Sequence, residues 1–233
     1  MKRETQNVLV LLLGLAVGVM VVKGAYLHYV KPALFPWLVM SAVGLVALAL
    51  VSVVRDIRRG GAELDEAHHH RGWMVWLLLV PVVLIAFVVP PPIEANGASP
   101  VSATQSAKHP FPPLPPGRAP TVSVPEVMMR AATDSAGTLD SRLITVTGFT
   151  LRGSAGPDLG RVVIVCCAAD AQLARIHLGG SAAATAASYP EDTWLRVEGT
   201  LLPGSSTAAS SFVPTLRIAS VTKVDRPANT YAY

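Results

Sequence analysis

Charge is scarce in this chain: only 15% of its 233 residues carry one, against about 25% in soluble globular domains. With 51% hydrophobic residues and a mean hydropathy of +0.46, an ordinary water-soluble globule is excluded. The net charge of +4 is too small to point to a large polyanionic partner. Cysteine is almost absent. The two present, Cys166 and Cys167, are adjacent, so they cannot staple distant segments, and stability must come from a core or from lipid. Catalytic signatures are missing as well: no Gly-x-x-x-x-Gly-Lys loop, no Gly-x-Ser-x-Gly elbow, no His-Glu-x-x-His and no Cys-x-x-Cys occurs. A protein that binds rather than an enzyme is expected.

What the chain does have is apolar length. Three runs in the first 89 residues read as membrane spans, at about 8–27, 34–54 and 73–89. The first counts as a span only if Lys23 snorkels. A cleaved signal peptide is its competitor, since Lys2 and Arg3 precede the run, but no clear small-x-small cleavage site follows. Pro81 kinks the third run and Pro90, Pro91 and Pro92 end it. The N-terminal tail and the second connector together hold six Lys and Arg near the spans, while the first connector holds Lys23 and Lys31. The positive-inside rule then places the N-terminus in the cytoplasm and everything after Val89 outside the cell, in a multi-pass protein of the cell membrane. That sidedness depends on the third run crossing.

Residues 90–120 contain ten prolines, a composition that favours an extended stalk over a core. From Thr121 the pattern changes to short β-rich runs broken by turn residues: strands are expected at 143–151, 161–167, 174–178, 193–202 and 213–224, with one short helix over 127–132. The fold class that follows is an α-helical region of three spans joined to an all-β C-terminal domain over 121–233, an OB-like small barrel with one short helix. That domain carries nine Lys and Arg and nine Asp and Glu, so it lacks the basic groove of a nucleic-acid binder, and no nucleic-acid partner is expected.

The most distinctive segment is Arg161 followed by four apolar residues and Cys166-Cys-Ala-Ala-Asp-Ala171. In a regular strand the two thiols point to opposite faces and cannot serve one site; a strand end or bulge near Ala168 relaxes this. One reading is a soft-metal or thiol-redox site with Cys166 or Cys167 as ligand and Asp170 or His177 as a second partner. The other is that both cysteines pack as small hydrophobes. His177 has no evident partner in its strand and reads as an edge or surface residue, and Trp194 reads as core. His68, His69 and His70, after Glu63, Asp65 and Glu66, offer imidazole and carboxylate ligands but read first as a solvated connector.

Several segments together resemble the YcgQ-type bacterial membrane proteins. They are residues 27–32, His68 to Arg71 before Trp73, Val89-Pro-Pro-Pro92, Val146-Thr-Gly-Phe149, the Cys-Cys-Ala-Ala-Asp-Ala run, Trp194-Leu-Arg-Val-Glu-Gly199 and Pro227-Ala-Asn-Thr-Tyr231. The resemblance spans nearly the whole chain, and its C-terminal part is similar to that family's domain of unknown function. It implies an accessory permease subunit, with a separate multi-span permease as partner alongside membrane lipid, and a link to metal homeostasis with zinc as the candidate ion. Two alternatives stand beside it: an envelope thiol or metal protein using Cys166 and Cys167, and a purely structural envelope protein. The family assigns no catalytic residues, so none carries over.

Overall fold

The computed structural model of the chain describes residues 3–58, 93, 97–100, 108–153 and 156–232. The chain divides into two compact units, Met1–Pro92 and Ile93–Tyr233.

The described part of the first unit is a pair of helices, α1 (Arg3–Val22) and α2 (Phe35–Arg58). Leu, Val and Ala dominate both, and Gly24, two residues past the end of α1, takes a left-handed backbone (φ 69°). That conformation costs glycine alone nothing, and it closes the helix. Short 3-10 turns at Ala25–His28 and Pro32–Leu34 then lead into α2. The helices meet along small residues. A side chain on Gly14 would lie 3.0 Å from the Leu45 Cβ, and Ala16, Ala42 and Ala49 are buried; small residues let helix backbones approach closely. Leu13, Leu15, Trp37, Met40, Leu48 and Leu50 face outward and exposed. Gly14→Leu is therefore expected to pry α1 from α2 at a cost of about 1–3 kcal/mol, read as a lower unfolding midpoint of the detergent-solubilised protein, while Gly18→Leu, with open space around it, leaves the midpoint unchanged.

Only one helix among the described residues is long and apolar enough to cross a membrane, Pro32–Arg55, with a mean hydropathy of 2.5. This corrects the expectation of three spans. The first run gives a shorter apolar helix, Asn7–Val22, because Gly24 turns the chain before Leu27 can extend it. The third run at 73–89 and the histidines at 68–70 lie outside the described residues, and the sidedness argument goes with them.

In the second unit a mixed sheet of seven strands is ordered β1-β4-β6-β5-β2-β3-β7, with an additional β3–β4 pairing. The strands are β1 (Ser99–Pro100), β2 (Leu143–Gly153), β3 (Gly156–Val163), β4 (Gln172–Gly179), β5 (Trp194–Leu201), β6 (Thr215–Lys223) and β7 (Tyr231–Ala232). Two helices accompany them, α3 (Val124–Thr133) and α4 (Ala183–Ala187). The core lies between the sheet and these helices, with Ile144, Val146, Leu159, Ile176, Leu195 and Leu216 fully buried beside Val124 and Val127 of α3 and Ala186 of α4.

The expected OB-like small barrel with one short helix is also corrected: β2, β3, β4, β6 and β5 pair in succession and β3 pairs with β4 as well, but the sheet is mixed and seven-stranded and two helices among the described residues pack on it. The sheet is mixed: β4 runs parallel to β6 across three residue pairs only, and it takes in two-residue strands from both flanks of the β-rich region. Two segments between the expected strands hold regular elements: β3 begins at Gly156, which pairs with Gly153 of β2, and Ala183–Ala187 is a helix. The strand expected at 161–167 stops at Val163.

The α3 start obeys its sequence signals. The Ser123 hydroxyl accepts the Glu126 N–H, with proline and an acidic residue in the first turn. Arg130, buried on the same helix, donates to Glu126, Thr138 and the Pro112 carbonyl and stacks over Phe111. Burial would raise the Asp134 carboxyl, but hydrogen bonds from the Thr138 hydroxyl and from the N–H groups of Thr138, Ala136 and Phe111 outweigh it and hold the group far below the usual carboxylate range. Through these contacts, and through Ala119 and Pro120 carbonyls bonded to Thr145, the described proline-rich residues 108–120 lie against the β domain.

Candidate metal centre

After Val163 the chain leaves the sheet. Ile164 is buried, residues 165–167 bend outward, and Ala168–Asp170 form one 3-10 turn before β4 begins. A single carboxylate organises this excursion. Asp170 accepts the N–H groups of Val165 and Cys166, both at 2.8 Å, and of Cys167 at 3.3 Å. The Asp170 N–H in turn donates to the Cys167 carbonyl at 3.0 Å, closing the turn. Because the strand has ended, the alternation that would set the thiols on opposite faces no longer applies. The two sulfurs lie 3.7 Å apart, and the donor atoms of Cys166, Cys167 and Asp170 all fall within 4.8 Å of one another. Cys166 is exposed and Cys167 half-buried, so these cysteines do not fill a core.

Electrostatics at the turn has one sign. The hydrogen bond to Asp170 and then that to Cys167 push the Cys166 thiol up to about 11, with desolvation and the neighbouring negative charges adding to them. The hydrogen bond from the Cys166 thiol, aided by the three N–H groups, holds Asp170 down to about 2 against the effect of burial. A thiol at 11 is a poor nucleophile at neutral pH, because the thiolate is the reactive form. A cation among the three groups reverses the effect, since mutual repulsion of thiolates and carboxylate becomes attraction to the ion. Two thiolates and one carboxylate form a donor set for a thiophilic ion such as zinc, with one tetrahedral position left for water or another ligand. In the ion-free Cys167→Ser protein at pH 8, Asp170→Asn is expected to speed alkylation of Cys166 by roughly tenfold or more, as the thiol returns toward its ordinary value. Iodoacetamide labelling followed by intact-mass measurement gives the rate.

His177 is not part of this cluster. It lies opposite Asp158 in the β3–β4 register, and its Nδ1 hydrogen-bonds the Asp158 carboxylate at 2.5 Å, while the Arg175 guanidinium reaches the other oxygen at 2.6 Å. Asp158 is fully buried. A side chain on Gly153 would meet that carboxylate at 2.6 Å, so the glycine leaves the space it occupies. This triad was not legible because the strand was expected to begin only at Arg161; it begins at Gly156 and so sets Asp158 across from His177. Trp194 is buried as expected, edge-on to Phe149 and beneath the Arg161 guanidinium at 4.7 Å.

The region that holds both clusters has relatives. Residues 127–233 match the family model of the DUF1980 C-terminal domain. No curated protein and no solved structure matches the chain. The DUF1980 match begins within α3 and takes in β2 to β7, the cysteine turn and the Asp158 triad, and it leaves β1 and both N-terminal helices outside. The match is to a domain of unknown function and assigns no role to any residue; it does not extend to the YcgQ-type or permease part of the resemblance.

Proposed function

We propose that this protein is a membrane-anchored ion-binding protein whose DUF1980 domain holds a thiophilic divalent cation, zinc being the type ion, at Cys166, Cys167 and Asp170, and that it serves as an accessory subunit to a multi-span permease. The observation that carries the binding role is the convergence of three soft and anionic donors within 4.8 Å on a surface turn, braced by three backbone N–H groups on Asp170. The helix Pro32–Arg55 supports attachment to lipid. The permease partner is supported by the family resemblance of the chain and by the absence of catalytic motifs. Binding rather than catalysis fits the raised Cys166 thiol.

The test is equilibrium binding of zinc or cadmium to the reduced full-length protein in detergent, with metal content per chain counted by elemental analysis. One tightly held ion per chain is expected; no retained ion removes the proposal. Purification from native membranes in mild detergent should bring down a multi-span permease, and recovery of the protein without one would separate the ion site from the transport role.

A further inference from the structure

The cysteine turn is pinned at both ends by chain from elsewhere in the sequence. At its entry, Ile164 donates its N–H to the Ala232 carbonyl at 3.2 Å, and β7 runs parallel to β3 at Val162 and Val163. At its exit, the Ala171 carbonyl accepts the Ser99 N–H at 3.2 Å, and β1 continues the pairing along Gln172 and Leu173. The two straps are tied to each other, because the Ile93 N–H donates to the Tyr231 hydroxyl at 2.7 Å. Ile93 and Ala98 also pack on the small apolar cluster that contains Ile164, Ala171 and Tyr231. Ile93 is the first residue of the second unit, so it stands where the chain arrives from the N-terminal helices.

We propose that ion occupancy of the cysteine turn is coupled, through the Ala171 carbonyl and the Tyr231 hydroxyl, to docking of the strap that carries Ile93 and Ser99, so that the chain segment arriving from the membrane-anchored unit senses whether the site is filled. This rests on the metal reading of the turn. Asp170 is a donor to the ion and immediately precedes Ala171, the strap's acceptor. Drawing Cys166, Cys167 and Asp170 onto one ion fixes the peptide that presents this carbonyl, and a fixed acceptor loses less freedom when the strap docks. Among its described residues the strap meets the β domain through the Ile93 and Ser99 hydrogen bonds and the two-residue β1 pairing, and a ligand that favours the docked state shifts that equilibrium. The coupling is reciprocal: a docked strap must tighten ion binding by the factor by which the ion tightens the strap.

Two readouts on the full-length protein in detergent test this. Hydrogen exchange at the Ile93 and Ser99 amides is expected to slow by roughly fivefold or more on zinc loading, in protein shown by elemental analysis to hold one ion. Ser99→Pro, which removes the donor, and Tyr231→Phe, which removes the hydroxyl and keeps the ring, are each expected to weaken zinc binding by roughly fivefold while one ion per chain is still bound at saturation. Unchanged exchange in zinc-loaded protein, with both variants binding as tightly as the wild type, overturns the coupling and leaves the site standing. If the wild type retains no zinc, the site itself is wrong and the coupling falls with it.

Discussion

Serine at both Cys166 and Cys167 is expected to abolish cadmium binding by the full-length protein, and with it the ultraviolet thiolate-to-cadmium band. Each single replacement should cost at least the 10- to 100-fold that losing even an outer-shell partner costs a metal site, because serine keeps the hydrogen bonding but cannot supply a soft anionic ligand at neutral pH. The pH dependence has a definite sign. Cys166 is protonated below about 11, so the ion must displace that proton; affinity falls as pH falls, by about tenfold per unit for each proton released. Titrations at pH 6, 7 and 8 in a non-coordinating buffer measure this. An affinity independent of pH, or equal in the double-serine protein, would show that the turn binds nothing.

Asp158→Ala is the substitution expected to cost the β domain most. The carboxylate is fully buried and joins Arg175 to His177. Removing it strips both partners of their acceptor, and breaking a buried charged pair from one side typically costs about 3–5 kcal/mol. Arg175 and His177 retain some exposure, with side chains 33% and 24% accessible, so they can turn partly to water and the lower end, about 3 kcal/mol, is expected. For a domain of this size that lowers the unfolding midpoint by roughly 10 °C, measured by circular dichroism or by urea titration. Ion binding at the turn should survive wherever the variant remains folded, since Asp158 and Cys166 lie at opposite ends of the segment that runs through β3. A change of less than half a kcal/mol would mean that Arg175 and His177 are solvated as well without the carboxylate as with it.

Much of the β domain could be read along the chain, for reasons tied to particular residues. Ala174, Ile176 and Leu178 alternate inward, as do Leu195, Val197 and Leu201, and the helix expected over 127–132 is there, opening three residues earlier at Val124. Legibility failed where a tertiary partner decides the local state. Val165, Cys166 and Cys167 have strand-forming side chains, yet Asp170, three to five residues on, offers their N–H groups an acceptor that the sheet does not, and the strand ends early. The two-residue strands at Ser99 and Tyr231 carry no period to detect; they exist because β4 and β3 present free edges to them. In the N-terminal part of the sequence, apolar length alone could not show that Gly24 would take a left-handed turn and cut the first run short. The Cys-Cys-x-x-Asp spacing was visible from the start, but the choice between two thiols on opposite faces and two thiols on one site waited on the position of that strand end.

The placement of β7 bears on how the molecule should be handled at the bench. Tyr231 and Ala232 grip β3 just upstream of Ile164, so a polyhistidine sequence appended after Tyr233 would tug on the edge that steadies the thiols and would add imidazoles of its own beside them. Affinity chromatography through the amino terminus, or removal of any carboxyl-terminal extension before titration, keeps a purification artefact from being read as ion chemistry.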